Sequence, residues 1–292
     1  MPTGLVRRAI PYLWDQYSRE RDTPVRQPKY RPRPHAWAES GLHAAWLGHS
    51  TVLLRIDGVT VLTDPVFSNR IGVNLGLGTV GPRRLVEPAL HAREIPRPDI
   101  ILLSHAHMDH FDIPSLRGLE SPQTQVVTAS RTSDLLRVHR YGAVKELGWG
   151  DSARFGDLTV RAFEVNHWGA RIQSDTFRGY NGYVIETPRY RVIFGGDTAI
   201  TDTFRKLRTE RRVDLALMPV GAYNPWLRAH CTPEQALRMA EDAGAERILP
   251  IHHQTFPLSR EPYLEPIERL SAALGSSQER LALSAIGEET HL

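Results

Sequence analysis

Eleven short apolar runs punctuate the chain: AAWLG, STVLLRI, VTVLTD, PDIILLS, QVVTAS, VKELGW, LTVRAFEV, YNGYVIE, RYRVIFGGD, VDLALMPVG and RILPIH. They are too short for helices, rich in β-branched residues, and bounded by Gly, Pro, Asn and Asp, so they read as strands. The Asp57-Gly58 pair between the second and third runs predicts a tight hairpin. Three helical patterns interleave: RTSDLLRVHR, TPEQALRMAEDAG and EPYLEPIERLSAALG. The second carries its own boundaries, with Thr232 as N-cap, Pro233 at the first position, Gln235 closing a capping box and Gly244 at the end. Strands with helices between them predict a layered α/β sandwich.

The strand PDIILL runs straight into SHAHMDHFD, which spaces His105, His107, Asp109 and His110 as H-x-H-x-D-H. On extended backbone, residues two apart point the same way, so His105 and His107 can share one metal. Asp109 and His110 are adjacent and diverge, which suits a second metal nearby. A dinuclear site needs further ligands, and three other strand ends offer them: His167 in FEVNHWG, Asp197 in VIFGGDT, and His252 or His253 in ILPIHHQTF. The two glycines before Asp197 allow close backbone approach.

The bulk composition excludes several classes. The formal charge is only +3 over 292 residues, which is no concentrated basic face for nucleic acid. The single cysteine, Cys231, allows no intramolecular disulfide and reads as a buried structural thiol. No apolar run reaches the length of a membrane span, and Pro11 and Asp15 break the N-terminal one before a cleavage site could follow. The expected location is cytoplasmic. Residues 1–40 are rich in Pro and Arg and predict an extended arm packed on a domain of residues 41–292, or a solvated basic tail. The LVRRAIPYLW portion could pack on the core or touch lipid.

The ordered set WLGHSTVLL, LTDPVFS, GPRR, LLSHAHMDHFD, NHWGAR, GGDT, PVGAYNPW, HCTPEQAL and PIHHQTF resembles the metallo-β-lactamase superfamily of metal-dependent hydrolases. Within it, the branch of the N-acylphosphatidylethanolamine-hydrolysing phospholipase D is the most similar. The resemblance implies an αββα fold, two mixed β-sheets flanked by helices, with two divalent metals at one edge. The first metal would be held by His105, His107 and His167, the second by Asp109, His110 and His252, with Asp197 bridging. The imidazole-rich set suits Zn2+, with Mn2+ or Fe2+ able to replace it. His253 and Gln254 stand where the superfamily more often has an aromatic and a glycine, so both His252 and His253 stay candidates for the last ligand.

The same resemblance implies a hydrolase that uses a metal-bridging hydroxide, most readily on a phosphodiester such as an N-acylated phospholipid. A lactonase or acyl hydrolase on the same site is the alternative, and a metal-binding protein without turnover is the alternative of another class. Asp109 would accept the water proton and His230 would sit beside the site and protonate a leaving group. Asp64 either orients a metal-bound histidine or makes a turn before Pro65. His49 is either a core or turn histidine or part of the site. Arg83 and Arg84 either meet an anionic substrate or lie in a solvated loop. The glycine-rich stretch Gly72–Gly81 is no phosphate loop, since no G-K-[ST] follows, and reads as a mobile loop at the site mouth or a linker. The expected partners are a small-molecule or lipid substrate and no nucleic acid. A homodimer is an expectation of the resemblance, and peripheral contact with the inner membrane face is an expectation for the LVRRAIPYLW portion.

Overall fold

The computed structural model describes Ser18 and residues 24–74, 79–172 and 174–292. The first apolar runs become β1 (Leu42–Gly48), β2 (Thr51–Ile56) and β3 (Val59–Thr63). After a small antiparallel pair, β4 (Val73–Asn74) with β5 (Thr79–Val80), come β6 (Ile100–Leu103), β7 (Gln125–Ala129) and β8 (Ala143–Leu147). The later runs become β9 (Ser152–Phe155), β10 (Leu158–Phe163), β11 (Gly182–Glu186), β12 (Arg191–Phe194), β13 (Val213–Pro219) and β14 (Ala245–Ile251), with β15 (Glu289–His291) at the C-terminus. One sheet has seven strands in the order β15-β1-β2-β3-β6-β7-β8, and the other six in the order β14-β13-β12-β11-β10-β9. Both sheets mix parallel and antiparallel pairs, as predicted.

Period-2 alternation builds the layers. On β13, Leu215 and Leu217 enter the core between the sheets, while Ala216 and Met218 face the other way. Val192 and Phe194 on β12 join the first set, and Ile193 the second. The outward set is covered by α3 (Pro233–Asp242) and α4 (Glu265–Leu274), through Ala236, Met239, Ala240, Leu270 and Leu274. Before these come two short helices, α1 (Ile113–Gly118) and α2 (Thr203–Lys206). The capping box of α3 forms as predicted, with Thr232 accepting from Gln235 N and the Gln235 side chain accepting from Thr232 N. Asp57 and Gly58 both take positive φ, 50° and 87°, and close the β2–β3 hairpin.

Strand direction positions the site. β1, β3 and β6 run one way in the first sheet, and β10, β12, β13 and β14 share a direction in the second. The carboxyl ends of both sets meet at one edge, where Tyr183 Oη donates to Leu103 O at 2.9 Å and Asn181 N to Ser104 O at 2.9 Å. Every ligand-bearing run named above ends there.

The predicted helix RTSDLLRVHR is instead two 3-10 turns, Ser133–Leu135 and Val138–Arg140. The Glu146 carboxylate takes the N–H groups of Arg131, Thr132 and Ser133, and Thr132 Oγ1 turns back to Ala129 O, so the side chains hold a turn that competes with the helix. β4, β5, β9, β15 and the short helices α1 and α2 match none of the apolar runs or helical patterns of the sequence, and β4 and β5 lie in the stretch expected to be a loop or linker.

In the described part of the predicted arm, Arg26 N donates to Leu85 O, Glu87 N donates to Arg26 O and Trp37 Nε1 donates to Glu289. LVRRAIPYLW lies outside the described residues, as do residues 75–78 of the glycine-rich stretch.

Candidate metal centre

Seven of the predicted residues converge at the shared edge. After β6 the chain leaves the sheet, and His105 Nε2 and His107 Nδ1 come within 2.8 Å of each other. His167, just past β10, brings its Nε2 to 3.3 Å from the same His107 nitrogen. These three donor atoms lie within 4.8 Å of one another and could hold a metal ion. On the other side, His110 Nε2 and His252 Nε2 each lie 3.4 Å from Asp109 Oδ2. Asp197 sits between the groups, its Oδ2 at 3.1 Å from both His110 Nε2 and His252 Nε2, and 3.8 Å from His167 Nε2.

The hydrogen bonds behind the rings decide which nitrogen faces the site. His110 Nδ1 meets Asp64 Oδ2 at 2.7 Å, and a carboxylate only accepts, so the Nδ1 proton points backward and Nε2 faces the site. Ala229 O does the same for His167 Nδ1 at 3.0 Å. Ser104 Oγ gives its one proton to Asp64 Oδ2 at 2.6 Å and so accepts from His105 Nδ1 at 2.8 Å. Asp64, fully buried and also holding Ser104 N, thus orients two of the ring histidines. Of its two predicted roles, the structure favours the orienting one.

The local backbone serves this arrangement. Gly196 takes φ 57°, and a Cβ there would stand 2.9 Å from Ser104 Cβ and 3.0 Å from Asn181 O. The Gly-Gly pair therefore lets the Asp197 loop press against the strand that carries His105.

Electrostatics fit metal binding. Burial opposes charge on Asp109 and Asp197, yet His110 and its neighbours hold both carboxylates well below their usual range. Burial keeps His105 well below the usual imidazole value and His167 at about 3, so both rings are neutral and able to coordinate. On His252 burial is outweighed by Asp197 and Asp109, which raise it to about 9, and the same pair raises His110 well above the usual value. In the metal-free protein these two rings carry positive charge that a cation would replace. His110 Nε2 and Asp197 Oδ1 are buried without a hydrogen bond, as expected of atoms meant for a metal.

The choice between His252 and His253 is settled by packing. His252 faces both carboxylates, while the His253 ring stacks on Trp46 at 4.5 Å, away from them. His253 is therefore no part of the site. Arg84 is also no substrate contact: it is buried, donating to the carbonyls of Val66 and Ser68 and lying 5.0 Å over the Phe256 ring. All its reach is spent on carbonyls, which also rules out a solvated loop. Arg83 pairs with Arg70 in an isolated bridge and is half-buried. Cys231 is buried with Sγ 3.2 Å from Pro219 O, matching a structural thiol.

His230 does lie beside the centre, its Nδ1 at 3.8 Å from Asp197 Oδ2. Burial lowers its pKa to about 4. His49 is in the site: buried, pushed down to about 3 by burial, with Nε2 3.1 Å from Asp109 Oδ2. Sequence reasoning missed Ser104 and Trp168. Trp168 packs on His107 at 4.7 Å and His167 at 4.4 Å. Their one signal was adjacency to ligands in the chain.

The centre opens past the half-buried His107 and Asp109. The loops carrying His167, Asp197 and His230 also carry exposed Trp168, Ile172, Phe177, Ile200, Trp226 and Leu227. Among the described residues, no helix is long and apolar enough to cross a membrane.

A family model described as a beta-lactamase superfamily domain matches residues 59–253. The chain is 34% identical over 270 residues to an uncharacterized protein of Mycobacterium tuberculosis, covering 89% of this chain and 72% of that one. It is 31% identical to N-acyl-phosphatidylethanolamine-hydrolyzing phospholipase D 1 of Caenorhabditis elegans, covering 83% and 72%. Among solved structures it is similar to an isothiocyanate hydrolase from Delia radicum gut bacteria, with TM-score 0.68 and 17% identity over 86% and 98% of the chains. A metallo hydrolase from the archaeon Ignicoccus hospitalis gives TM-score 0.64 and 19% identity over 87% and 99%. At those identities the likeness concerns the fold.

Proposed function

The chain belongs to the β-lactamase superfamily of metal-dependent hydrolases, and from that premise we propose that it cleaves a phosphodiester of an amphiphilic substrate, such as an N-acylated phospholipid, at a dinuclear centre. The observation that carries the dinuclear reading is the Asp197 carboxylate, within 3.1 Å of two imidazoles of one group and 3.8 Å of one in the other. His105, His107 and His167 would hold one metal, Asp109, His110 and His252 the other, and Asp197 both. Bound there, divalent cations supply Lewis acidity and make hydroxide available at neutral pH.

The chain's own residues do the rest. Asp109, at the mouth with 16% of its side chain exposed, accepts the proton of the attacking water. Neutral His230 offers one ring N–H to a phosphoryl oxygen. The apolar rim of Trp168, Phe177, Trp226 and Leu227 holds the substrate's hydrocarbon part and touches the lipid surface that presents it. The N-acyl-phosphatidylethanolamine hydrolysis for which the C. elegans relative is named supports that substrate class.

The test is turnover of bis-p-nitrophenyl phosphate and an N-acylated phosphatidylethanolamine by protein loaded with zinc. Both should be hydrolysed, and His107→Ala should lower kcat/KM on the order of 1000-fold. Turnover of a homoserine lactone with neither phosphodiester cleaved would replace this reading by acyl hydrolysis.

A further inference from the structure

We infer that His49 is a positioning residue for the second metal position, holding the Asp109 carboxylate through its Nε2–H. The inference rests on the dinuclear reading above. His110 and His252 each face both carboxylates, Asp109 at 3.4 Å and Asp197 at 3.1 Å, so the cation position lies between those two acids. His49 meets Asp109 alone of the two, at 3.1 Å, and so stands on the outer side of that ligand. An ionised carboxylate only accepts, so the shared proton belongs to His49 Nε2. That separates it from His105, His110 and His167, which spend Nδ1 on groups behind them and turn Nε2 to the site.

The backbone is built to keep the ring there. His49 has φ 54°, a left-handed conformation uncommon for a residue with a side chain. It is clamped on three sides: its N–H donates to Thr255 Oγ1 at 2.6 Å, and its carbonyl accepts from Trp46 Nε1 at 2.8 Å and His252 N at 3.0 Å. The last bond ties the β1–β2 turn to His252, the candidate ligand just past β14. The ring itself is wedged against His252 at 4.3 Å and the edge of Phe256 at 5.3 Å. A strained turn fixed to a ligand strand delivers one N–H to one carboxylate.

The test is titration of the metal-free full chain with Co2+, reading equivalents bound and the visible spectrum of each site, for wild type, His49→Gln and His49→Asn. Glutamine can place an N–H near the Nε2 position, whereas asparagine tolerates positive φ but falls short of Asp109. Expected are two equivalents in wild type and His49→Gln, with second-site affinity of His49→Asn weakened about 10- to 100-fold and its first-site spectrum unchanged. The intact first-site spectrum reports that the variant is folded. Equal loss in Gln and Asn would make His49 a direct ligand and overturn the positioning role. Two tight equivalents in all three proteins would overturn any role for His49. One equivalent in wild type would overturn the dinuclear reading itself, and the inference with it.

Discussion

At the scale of single residues, the centre is governed by which atom of each side chain is already engaged. Three of the candidate ligand rings, His105, His110 and His167, have the far nitrogen held by an acceptor, and Asp64 supplies that acceptor to His110 directly and to His105 through Ser104. Asp64→Ala would leave His110 Nδ1, Ser104 N and Ser104 Oγ buried without their acceptor. Each such loss costs about 1–3 kcal/mol, and metal affinity should fall about 10- to 100-fold. Calorimetric metal titration and a thermal melt check both, and unchanged affinity would show that Asp64 only shapes the turn. The sequence placed Asp64 at this fork without choosing a branch. TDP reads equally as a turn, and the partner that decides, His110, lies 46 positions away.

At the scale of elements, strand direction does what individual residues cannot. H-x-H-x-D-H was legible because its spacing acts locally, on one strand end. His167, Asp197 and His252 were legible only as ends of predicted strands. The loops that carry them are held tightly, and Gly196 is the clearest case. Gly196→Ala would set a Cβ 2.9 Å from Ser104 Cβ at φ 57°. The expected loss is about 1–3 kcal/mol of stability, with reduced metal occupancy at the position Asp197 would bridge. Denaturant unfolding and metal counting would register it, and a neutral outcome on both would mean the loop has room to relax. The failed helix at RTSDLLRVHR has the same lesson. Its pattern was helical, but Glu146, on another strand, captured the N–H groups.

At the scale of the whole molecule, fold stability and metal binding are one equilibrium. In the metal-free chain His252 is held at about 9, above its ordinary value of 6.5. A raised folded-state value means that the protonated ring stabilises the fold fully below pH about 6.5, and that this contribution is lost as pH climbs through about 9. His110, shifted in the same direction, adds to the effect. Chelator-treated protein should therefore melt at lower temperature at pH 9 than at pH 6.5, by on the order of 5 °C. Metal-loaded protein should not share that loss, because the cation takes the place of the ring protons. Scanning calorimetry of both forms at the two pH values checks this, and equal slopes would indicate that these rings are not ligands.

The sequence by itself determined the layered α/β class, the order of the ligand-bearing strand ends and the candidates for a two-metal site. Those properties are written locally, in side-chain period, turn residues and spacing. Only the tertiary structure separated His252 from His253, withdrew Arg84 from the site, set His230 beside Asp197 and drew His49 onto Asp109. Each of those depends on what lies opposite a side chain once distant segments have met. Adjacent histidines on one strand are alike in sequence, but one faces two carboxylates and the other lies flat on Trp46.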